Sequence, residues 1–220
     1  MLANYEEKLK EIKSEILSVA KGLLKSNQLI VEALKDCKGD HFNEAKKYIK
    51  NVSNILKEID NNIITTLALH SPEAKDLRRM VSYLKITNEL LRASSNTRSF
   101  VKGFADECEE VDPTIINEYA IPMQKSTVDA IRYTVEMLEI DCVDETQEFF
   151  NKVVIAENKT DDLYEMIESE LFQKKPQESD FHKFHKMLIV LRRSEKVADR
   201  AMSIASLLLY ANNGGELHRV

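Results

Sequence analysis

The sequence predicts an all-α protein built as a tandem repeat of two antiparallel three-helix bundles, with six long helices in all. Only five Gly and four Pro occur in 220 residues, and sheet-rich folds usually need more turn residues than that. Apolar residues also recur at the helical period along almost the whole chain. Finally, the second half of the chain repeats the apolar pattern of the first, which is typical of a duplicated helical unit.

Residues that typically start or end a helix set the limits of the first three predicted helices. The first runs from about Leu2 to Cys37 and stops at Gly39, because glycine commonly ends a helix. The second runs from about His41 to Leu69. Ser71-Pro72-Glu73 then offers a hydroxyl cap and a proline in the first turn. A third helix is therefore predicted from this signal to about Cys108.

The last three helices begin in the same way. Asp112-Pro113 opens the fourth helix, which ends near Asp141. Pro122 lies inside it and predicts a break or kink, because proline lacks an N–H donor and clashes with the preceding turn. The fifth and sixth helices are predicted from about Asp144 to Phe172 and from about Ser179 to Asn212, with Gly214-Gly215 ending the last one.

An internal repeat relates the two halves. An offset of 104 places the third helix over the sixth, with Pro72 opposite Pro176. The second helix aligns with the fifth at an offset of 101, which places Asp60 opposite Asp161. We therefore predict two domains, residues 1–109 and residues 110–220, each a copy of one three-helix unit.

Composition excludes several classes of function. The net charge of −6 argues against nucleic acid as a partner. No apolar run approaches the roughly 18 residues that a membrane span requires. The charged, amphipathic N-terminus does not resemble a secretory signal. Three cysteines without CxxC spacing, Cys37, Cys108 and Cys142, indicate reduced thiols. We therefore expect a cytoplasmic protein.

Two carboxylates interrupt the apolar face of the sixth helix. At about 100° per residue, Asp199 falls 40° from Glu195, on the face that also carries Leu188 and Leu191. The fifth helix repeats this Glu-x-x-x-Asp spacing with Glu157 and Asp161. Burying four unpaired carboxylates would cost several kcal/mol each, so such a cluster needs protons or cations. Oxygen ligands suit ferric iron, manganese, magnesium or calcium better than a tetrahedral structural zinc.

Other interpretations compete with a metal site. The same acids could form surface pairs with neighbours such as Arg192 and Lys196, and the residues alone leave both possibilities open. His182 and His185 lie off the acidic face and are predicted to be a solvated pair. Di-iron enzymes of helical bundles need Glu-x-x-His motifs, which these helices lack. No phosphate loop or Ser/His/Asp arrangement occurs either, so we expect no enzyme activity.

Three segments of the chain have a recognisable pattern: "SPEAKDLRRMVSYLKITNELLR" (residues 71–92), "ENKTDDLYEMI" (157–167) and "FHKMLIVLRRSEKVADRAMSIASLLLYANNGGE" (184–216). They resemble the PhoU family of bacterial phosphate-signalling regulators. The resemblance covers essentially the whole chain. It implies that Glu157, Asp161, Glu195 and Asp199 are metal ligands. Iron is the first expectation for the metal, with zinc, manganese, magnesium and calcium as alternatives.

The resemblance also implies a function. PhoU-like proteins damp phosphate uptake and phosphate-starvation signalling through contacts with a phosphate ABC transporter and a sensor histidine kinase. We therefore expect a regulatory adaptor, present as a homodimer, that reaches the membrane only through its partners. The alternatives are a metal-free helical interaction protein and an accessory protein of another phosphate carrier.

The first copy departs from the family pattern. The positions expected to carry its four acids are Leu56, Asp60, Leu91 and Ser95. Only one of the four acids is present, so we expect this copy to hold no metal cluster. A further hypothesis is that Arg98 neutralises Asp60. The chain therefore resembles a one-site member of the family, with about half the metal of a two-site relative.

Overall fold

The computed structural model describes residues 2–37, 39–105, 108–140, 142–173 and 178–214. Every regular element within these residues is helical, which confirms the predicted all-α fold. The α-helices are α1 (Leu2–Asp36), α2 (Gly39–Tyr48), α3 (Val52–His70), α4 (Ala74–Ala105), α5 (Pro113–Ile115), α6 (Ile121–Glu139), α7 (Val143–Gln173) and α8 (Glu178–Asn213). A 3₁₀ turn spans Cys108–Glu110 and a π-helical turn spans Ile116–Ala120.

The long helices pack side by side, and the most extensive contact joins α4 to α8. Glu89 in the middle of α4 pairs with Arg200, whereas Gly103 near the end of α4 lies against Val190, which is nearer the start of α8. Helices α4 and α8 therefore run in opposite directions. Since they come from different halves of the chain, the two halves are packed directly against one another. No helix in the described part of the chain has the length and hydropathy that a membrane span needs.

The second predicted helix is interrupted. The structure divides it into α2 and α3 at a turn in which Asn51 has φ 62° and ψ 9°. Asparagine tolerates this left-handed conformation better than most residues because its short side chain bonds locally. The prediction of one continuous helix from His41 to Leu69 is therefore wrong at this turn.

Pro122 does not break its helix. The π-helical turn immediately precedes α6, and the N–H of Ile121 bonds to the carbonyl of Ile116, five residues earlier. A wider turn of this kind is a known way to relieve strain within a helix. Of the predicted break or kink, the break does not occur, because the chain stays helical. The regular α-helical hydrogen bonding is nevertheless interrupted by the π-helical turn just before Pro122.

The helix ends agree only in part with the predicted glycine stops. Gly214 follows α8 with φ 73°, and its N–H bonds to the Tyr210 carbonyl at 2.9 Å, as predicted. Gly39 instead begins α2, and the left-handed residue after α1 is Cys37, with φ 51°. The end of α1 was therefore placed correctly, but its terminating residue was not.

Two apolar core clusters fill the bundle, and each draws on both halves of the chain. One contains Ile16, Leu56 and Ile86 together with Val135 and Leu208. The other contains aromatic residues such as Phe42, Phe100 and Phe104 together with Ile167 and Leu191 from the second half. Burial of apolar area on this scale is the main stabilising term of the fold.

A layer of buried polar side chains separates the two clusters. Its members, here called the polar layer, are Asn27 of α1, Thr97 of α4, Gln124 and Thr127 of α6, and Ser194 of α8. The Gln124 amide donates to Asn27 Oδ1 at 2.8 Å and accepts from the Ser194 hydroxyl at 2.7 Å. Asn27 donates to Thr97 Oγ1 at 3.2 Å. The layer therefore links four helices through hydrogen bonds. All of these bonds form together only when the helices pack in one relative register.

A disulfide joins Cys37 to Cys108, with their Cα atoms 5.4 Å apart. The expectation that all three cysteines are reduced thiols is therefore wrong for these two in this structure. They are 71 residues apart in sequence, and they meet because the end of α1 lies beside the turn that follows α4. A local spacing motif could not reveal such a pair. Cys142 is free and exposed.

The close approach of α4 and α8 depends on Gly103. A Cβ atom at this position would lie 2.4 Å from Val190 Cγ2. We expect Gly103→Ala to lower the free energy of unfolding by about 1–3 kcal/mol, because the two helices must separate to admit the methyl group. Chemical denaturation measures this difference.

Gly39 provides the matched control for this prediction. A Cβ there meets nothing within 4 Å, so Gly39→Ala should be neutral or stabilising by up to about 1 kcal/mol. Equal stability of the Gly103→Ala protein and the unmodified protein would contradict the close packing of α4 on α8.

Candidate metal centre

The four predicted ligands lie on two helices that pack against one another. Glu157 and Asp161 are one turn apart on α7, and Glu195 and Asp199 are one turn apart on α8. The two helices are in direct contact. They run in opposite directions, since Thr146 near the start of α7 bonds to Asn212 near the end of α8. The residues from the two helices therefore face each other in a single patch.

Three of the carboxylates converge closely. Glu157, Asp161 and Asp199 each offer an oxygen atom, and these atoms all lie within 4.8 Å of one another. All three residues are half-buried. Glu195 is outside this trio but is the most buried of the four, with only 8% of its surface exposed. The structure thus brings the four predicted residues to one place, here called the acidic patch, with Glu195 at its buried side.

Two oxygen atoms of the acidic patch have no hydrogen-bond partner. They are Asp161 Oδ1 and Glu195 Oε2, and both are buried. A buried polar atom without a partner costs about 1–3 kcal/mol, and more if it carries charge. The converging trio and these two oxygen atoms together form a set of oxygen ligands. Such a set suits a hard cation that takes several oxygen ligands.

Neighbouring cations compensate part of the negative charge. The Lys196 ammonium lies 2.6 Å from Asp199 Oδ2 and 3.0 Å from Glu195 Oε1. Arg192 Nε is 3.8 Å from Glu195 Oε2, and Arg200 Nη2 is 3.5 Å from Asp199 Oδ2. The two acids of α8 therefore do contact cations of their own helix, but Glu195 is buried and is not the surface residue that the alternative interpretation assumed. Within the described residues, no ion pair of this kind reaches Glu157 or Asp161 on α7.

The acids of α7 have raised pKa values. Burial, followed by the negative charges of Asp161, Asp199 and Glu195, raises the pKa of Glu157 to about 7. Burial and the charges of Glu195 and Asp199 also raise the pKa of Asp161. Lys196 acts in the opposite direction on both groups but does not cancel the increase. Burial is therefore the main cause of both pKa shifts, and the other carboxylates of the patch add to it.

These shifts predict a specific pH dependence. The pKa of Glu157 is higher in the folded chain than its ordinary value of 4.5, so its contribution favours the folded state below pH 4.5 and is lost as pH rises through about 7. A cation needs the deprotonated group, so metal affinity should show the opposite trend. We expect affinity to fall roughly tenfold per pH unit below pH 7 if one proton is displaced. Manganese titrations followed by calorimetry at several pH values measure this.

Substitution of Glu157 by Gln serves as the control for the pH prediction. The amide does not titrate, so the E157Q variant should bind manganese more weakly but with a flatter pH dependence between pH 5 and about 7. An identical pH profile in the variant and the unmodified protein would show that another group is responsible.

The equivalent positions of the first half form no such cluster. Leu56 is buried in the core, whereas Leu91 and Ser95 are exposed. Asp60 is half-buried and accepts a hydrogen bond from Thr87 Oγ1 at 2.6 Å. Among the residues that the structure describes, the acidic group compatible with a metal ion is the one formed by Glu157, Asp161 and Asp199.

The hypothesis that Arg98 neutralises Asp60 is wrong. Arg98 Nη2 instead donates to the carbonyl of Ile49 at 3.0 Å. This carbonyl lies at the turn between α2 and α3, which the sequence analysis did not foresee. Because that turn exposes a backbone acceptor, the guanidinium group binds there, while Thr87 satisfies the Asp60 carboxylate.

The remaining candidates lie outside the acidic patch. His185 is exposed on α8, and the side chain of His182 lies outside the described residues. Tyr164 is buried, and the Arg192 guanidinium lies 5.2 Å from the centre of its ring. Sequence reasoning missed the role of Ser194, which joins the polar layer one residue before Glu195. A small hydroxyl residue on an otherwise apolar face was the signal that could have revealed it.

Known proteins share both the sequence pattern and the fold. The PhoU domain model matches residues 16–102. A phosphate-specific transport system accessory protein PhoU homolog from Clostridium acetobutylicum is 25% identical over 224 residues, covering 97% of this chain and 96% of that protein. The PhoU homolog 1 accessory protein from Methanothermobacter thermautotrophicus is 21% identical over 210 residues, covering 94% and 93%.

A solved structure extends the comparison to three dimensions. The crystal structure of PhoU from Pseudomonas aeruginosa superposes with a TM-score of 0.82 at 18% identity, covering 96% of this chain and all of that one. The likeness therefore extends over nearly the whole bundle. The domain match over residues 16–102, the two relatives and the shared fold all support the resemblance to the PhoU family that the sequence motifs indicated.

Proposed function

We propose that this protein is a regulatory adaptor of phosphate homeostasis. The observation that carries the proposal is the alignment of 94% and 97% of the chain with proteins named as accessory proteins of the phosphate-specific transport system. More specifically, we propose that the adaptor lowers phosphate uptake and starvation signalling through contacts with a phosphate transporter and a sensor histidine kinase. It acts by binding its partners, without an enzyme activity of its own.

We further propose that the acidic patch holds a metal cation. Glu157, Asp161, Glu195 and Asp199 would hold it, with iron as the first expectation. The bound cation would supply the positive charge that Lys196, Arg192 and Arg200 leave uncompensated. The support is the convergence of three carboxylates and the two buried oxygen atoms without a hydrogen-bond partner. Because Leu56, Leu91 and Ser95 replace acids in the first half, we propose one site per chain.

We also propose that the two halves of the chain are an internal repeat. Residues 1–109 and 110–220 would be two copies of one unit, of which only the second kept its acids. We also propose a homodimer that acts at the cytoplasmic side of the membrane through its partners. Sedimentation velocity tests the dimer, which should have twice the mass of the single chain.

The disulfide bears on the proposed cytoplasmic location. Disulfides are rare in a reducing cytoplasm, and Cys37 is bonded to Cys108 in this structure. Cys108 is buried in the folded chain, so the cells are quenched in acid and the free thiols are alkylated in the denatured protein. Counting the modified cysteines by mass spectrometry then tests the location. Three modified cysteines are expected in a reducing compartment, whereas modification of Cys142 alone would contradict the proposal.

Gene deletion tests the regulatory function directly. Host cells that lack the gene should take up more phosphate than the parent at high external phosphate, and the unmodified gene should restore the lower rate. Unchanged uptake after deletion would contradict the proposal. Complementation with E195A/D199A then asks whether the acidic patch is needed, with E58A/E145A, which removes two exposed acids elsewhere, as the matched control.

A second candidate function is a metal-free helical interaction protein. The observation that favours it is Lys196, whose ammonium already contacts two of the four acids. Metal analysis of the purified protein separates the two candidates. Bound metal at about one equivalent per chain or more supports the metal-binding adaptor, and metal-free protein that also fails to bind added cations supports the alternative.

A further inference from the structure

A basic pocket lies where α2 turns into α3 and packs beside α4. Its cations are Lys46, Lys47, Lys50 and Arg98, and it encloses about 500 Å³. The remaining lining residues are Asn51, Ser53 and Asn54. We call this set the basic pocket. It lies in the first half of the chain, away from the acidic patch on α7 and α8.

Every side chain of the basic pocket can donate a hydrogen bond, and no carboxylate lines it. Three ammonium groups and one guanidinium group supply the charge. Within the described part of the chain, none of these four cations forms an ion pair with a carboxylate. Like charges held together repel one another, so the pocket is stabilised by any ligand that brings compensating negative charge.

The chain around the pocket is held in place by specific contacts. Arg98 Nη2 donates to the Ile49 carbonyl at 3.0 Å, which fixes the guanidinium of α4 against the turn. Asn51 has the left-handed conformation that starts α3, and its side chain makes no capping bond to that helix. Donors from three helices, α2, α3 and α4, and from the turn between α2 and α3 therefore face one pocket.

The charge of the first half contrasts with that of the second. Residues 1–109 contain 18 Lys and Arg against 16 Asp and Glu, whereas residues 110–220 contain 13 against 21. The repeat offsets of 101 and 104 place Glu148 opposite Lys47, Asn151 opposite Lys50 and Met202 opposite Arg98. The basic pocket is therefore a feature of the first half alone and not a consequence of the duplicated pattern.

We propose that the basic pocket binds a small oxyanion that carries two or more negative charges, of the phosphate class. Charge-assisted hydrogen bonds from lysine and arginine to such an ion are the strongest that these side chains make. The seven donor side chains are clustered around one turn, which favours a compact ion over an extended acidic peptide. The site does not depend on the metal or on the partner proteins of the proposed function.

Titration with inorganic phosphate tests the proposal. Labelled protein in a chelating buffer of constant ionic strength is followed by amide NMR. Saturable shifts are expected for the amides of Lys50, Asn51, Ser53 and Asn54. In the K47Q/K50Q variant, phosphate affinity should fall roughly tenfold or more, because two charge-assisted contacts are lost. The K85Q/K125Q variant removes two exposed lysines elsewhere and should bind as the unmodified protein does.

Three results would overturn the proposal. They are the absence of saturable shifts with phosphate, equal phosphate affinity in K47Q/K50Q and the unmodified protein, and shifts that chloride at the same ionic strength reproduces. A separate experiment measures binding of the protein to vesicles with and without anionic lipid. Binding to anionic vesicles without binding to free phosphate would assign the pocket to a lipid headgroup at a membrane surface and reject a soluble ligand. Because chelator is present, failure here leaves the metal proposal and the adaptor proposal unaffected.

Discussion

Replacing Glu195 and Asp199 together with alanine is expected to abolish metal binding. The change removes the buried carboxylate and one member of the converging trio, and Glu157 with Asp161 alone offers too few oxygen ligands for a hard cation. Elemental analysis after exposure to metal and desalting should find metal in the unmodified protein and none in the variant. The metal-dependent gain in stability, about 2.7 kcal/mol at a free metal concentration near one hundred times Kd, should disappear as well.

The control for this prediction separates the loss of ligands from the loss of charge. The E58A/E145A variant removes two exposed carboxylates and should retain the full metal content. Metal-free E195A/D199A should unfold within about 1 kcal/mol of the unmodified protein, because the lost contacts with Lys196 are offset by reduced repulsion between the acids. Unchanged metal content in a folded E195A/D199A protein would reject the assignment of these ligands.

Replacing Gln124 with leucine is expected to be the most destabilising single change in the polar layer. The side chain bonds both Asn27 and Ser194, and all three residues are buried. Its loss leaves the Asn27 amide oxygen unpaired in the core, at about 1–3 kcal/mol, and removes one hydrogen bond of the Ser194 hydroxyl, which keeps Thr127 as a partner at 3.0 Å. We therefore expect the free energy of unfolding to fall by roughly 2–4 kcal/mol. Urea denaturation of the metal-free protein measures this.

A triple substitution distinguishes loss of hydrogen bonds from poor packing. Changing Asn27 to Leu and Ser194 to Ala in the Gln124→Leu protein removes the partners that were left unpaired. The triple variant should therefore be more stable than the single one, since a fully apolar replacement of a polar network is often nearly neutral. A triple variant less stable than Gln124→Leu would show that the cost comes from packing and not from unsatisfied polar atoms.

Most of the long helices could be predicted from the helical periodicity of the apolar residues. Apolar residues at the helical period and proline or glycine near the ends located the long helices to within a few residues. The turn at Asn51 and the π-helical turn before Pro122 were not predicted correctly. In both places the helical periodicity of the apolar residues continues without interruption. The backbone departs from the regular α-helix only locally, and the apolar periodicity does not report such a departure.

The acidic patch was predictable because helical rotation alone places acids on a face. Glu195 and Asp199 share the apolar side of α8, and the internal repeat indicated that α7 would oppose them. The direct contacts of Lys196 with these two acids depend on rotamers, which a sequence does not fix. The polar layer and the disulfide were missed for another reason. Their members are far apart in sequence and meet only through the packing of the bundle.

We propose that acids from α7 and α8 form a cation site and that the equivalent positions of the first half do not. Anomalous diffraction from crystals of the iron-loaded protein, collected on both sides of the iron edge, would locate the cation. The predicted result is an anomalous peak bounded by Glu157, Asp161, Glu195 and Asp199, with no peak near Asp60. A peak beside Asp60, or protein that retains iron with no peak at the acidic patch, would contradict the claim.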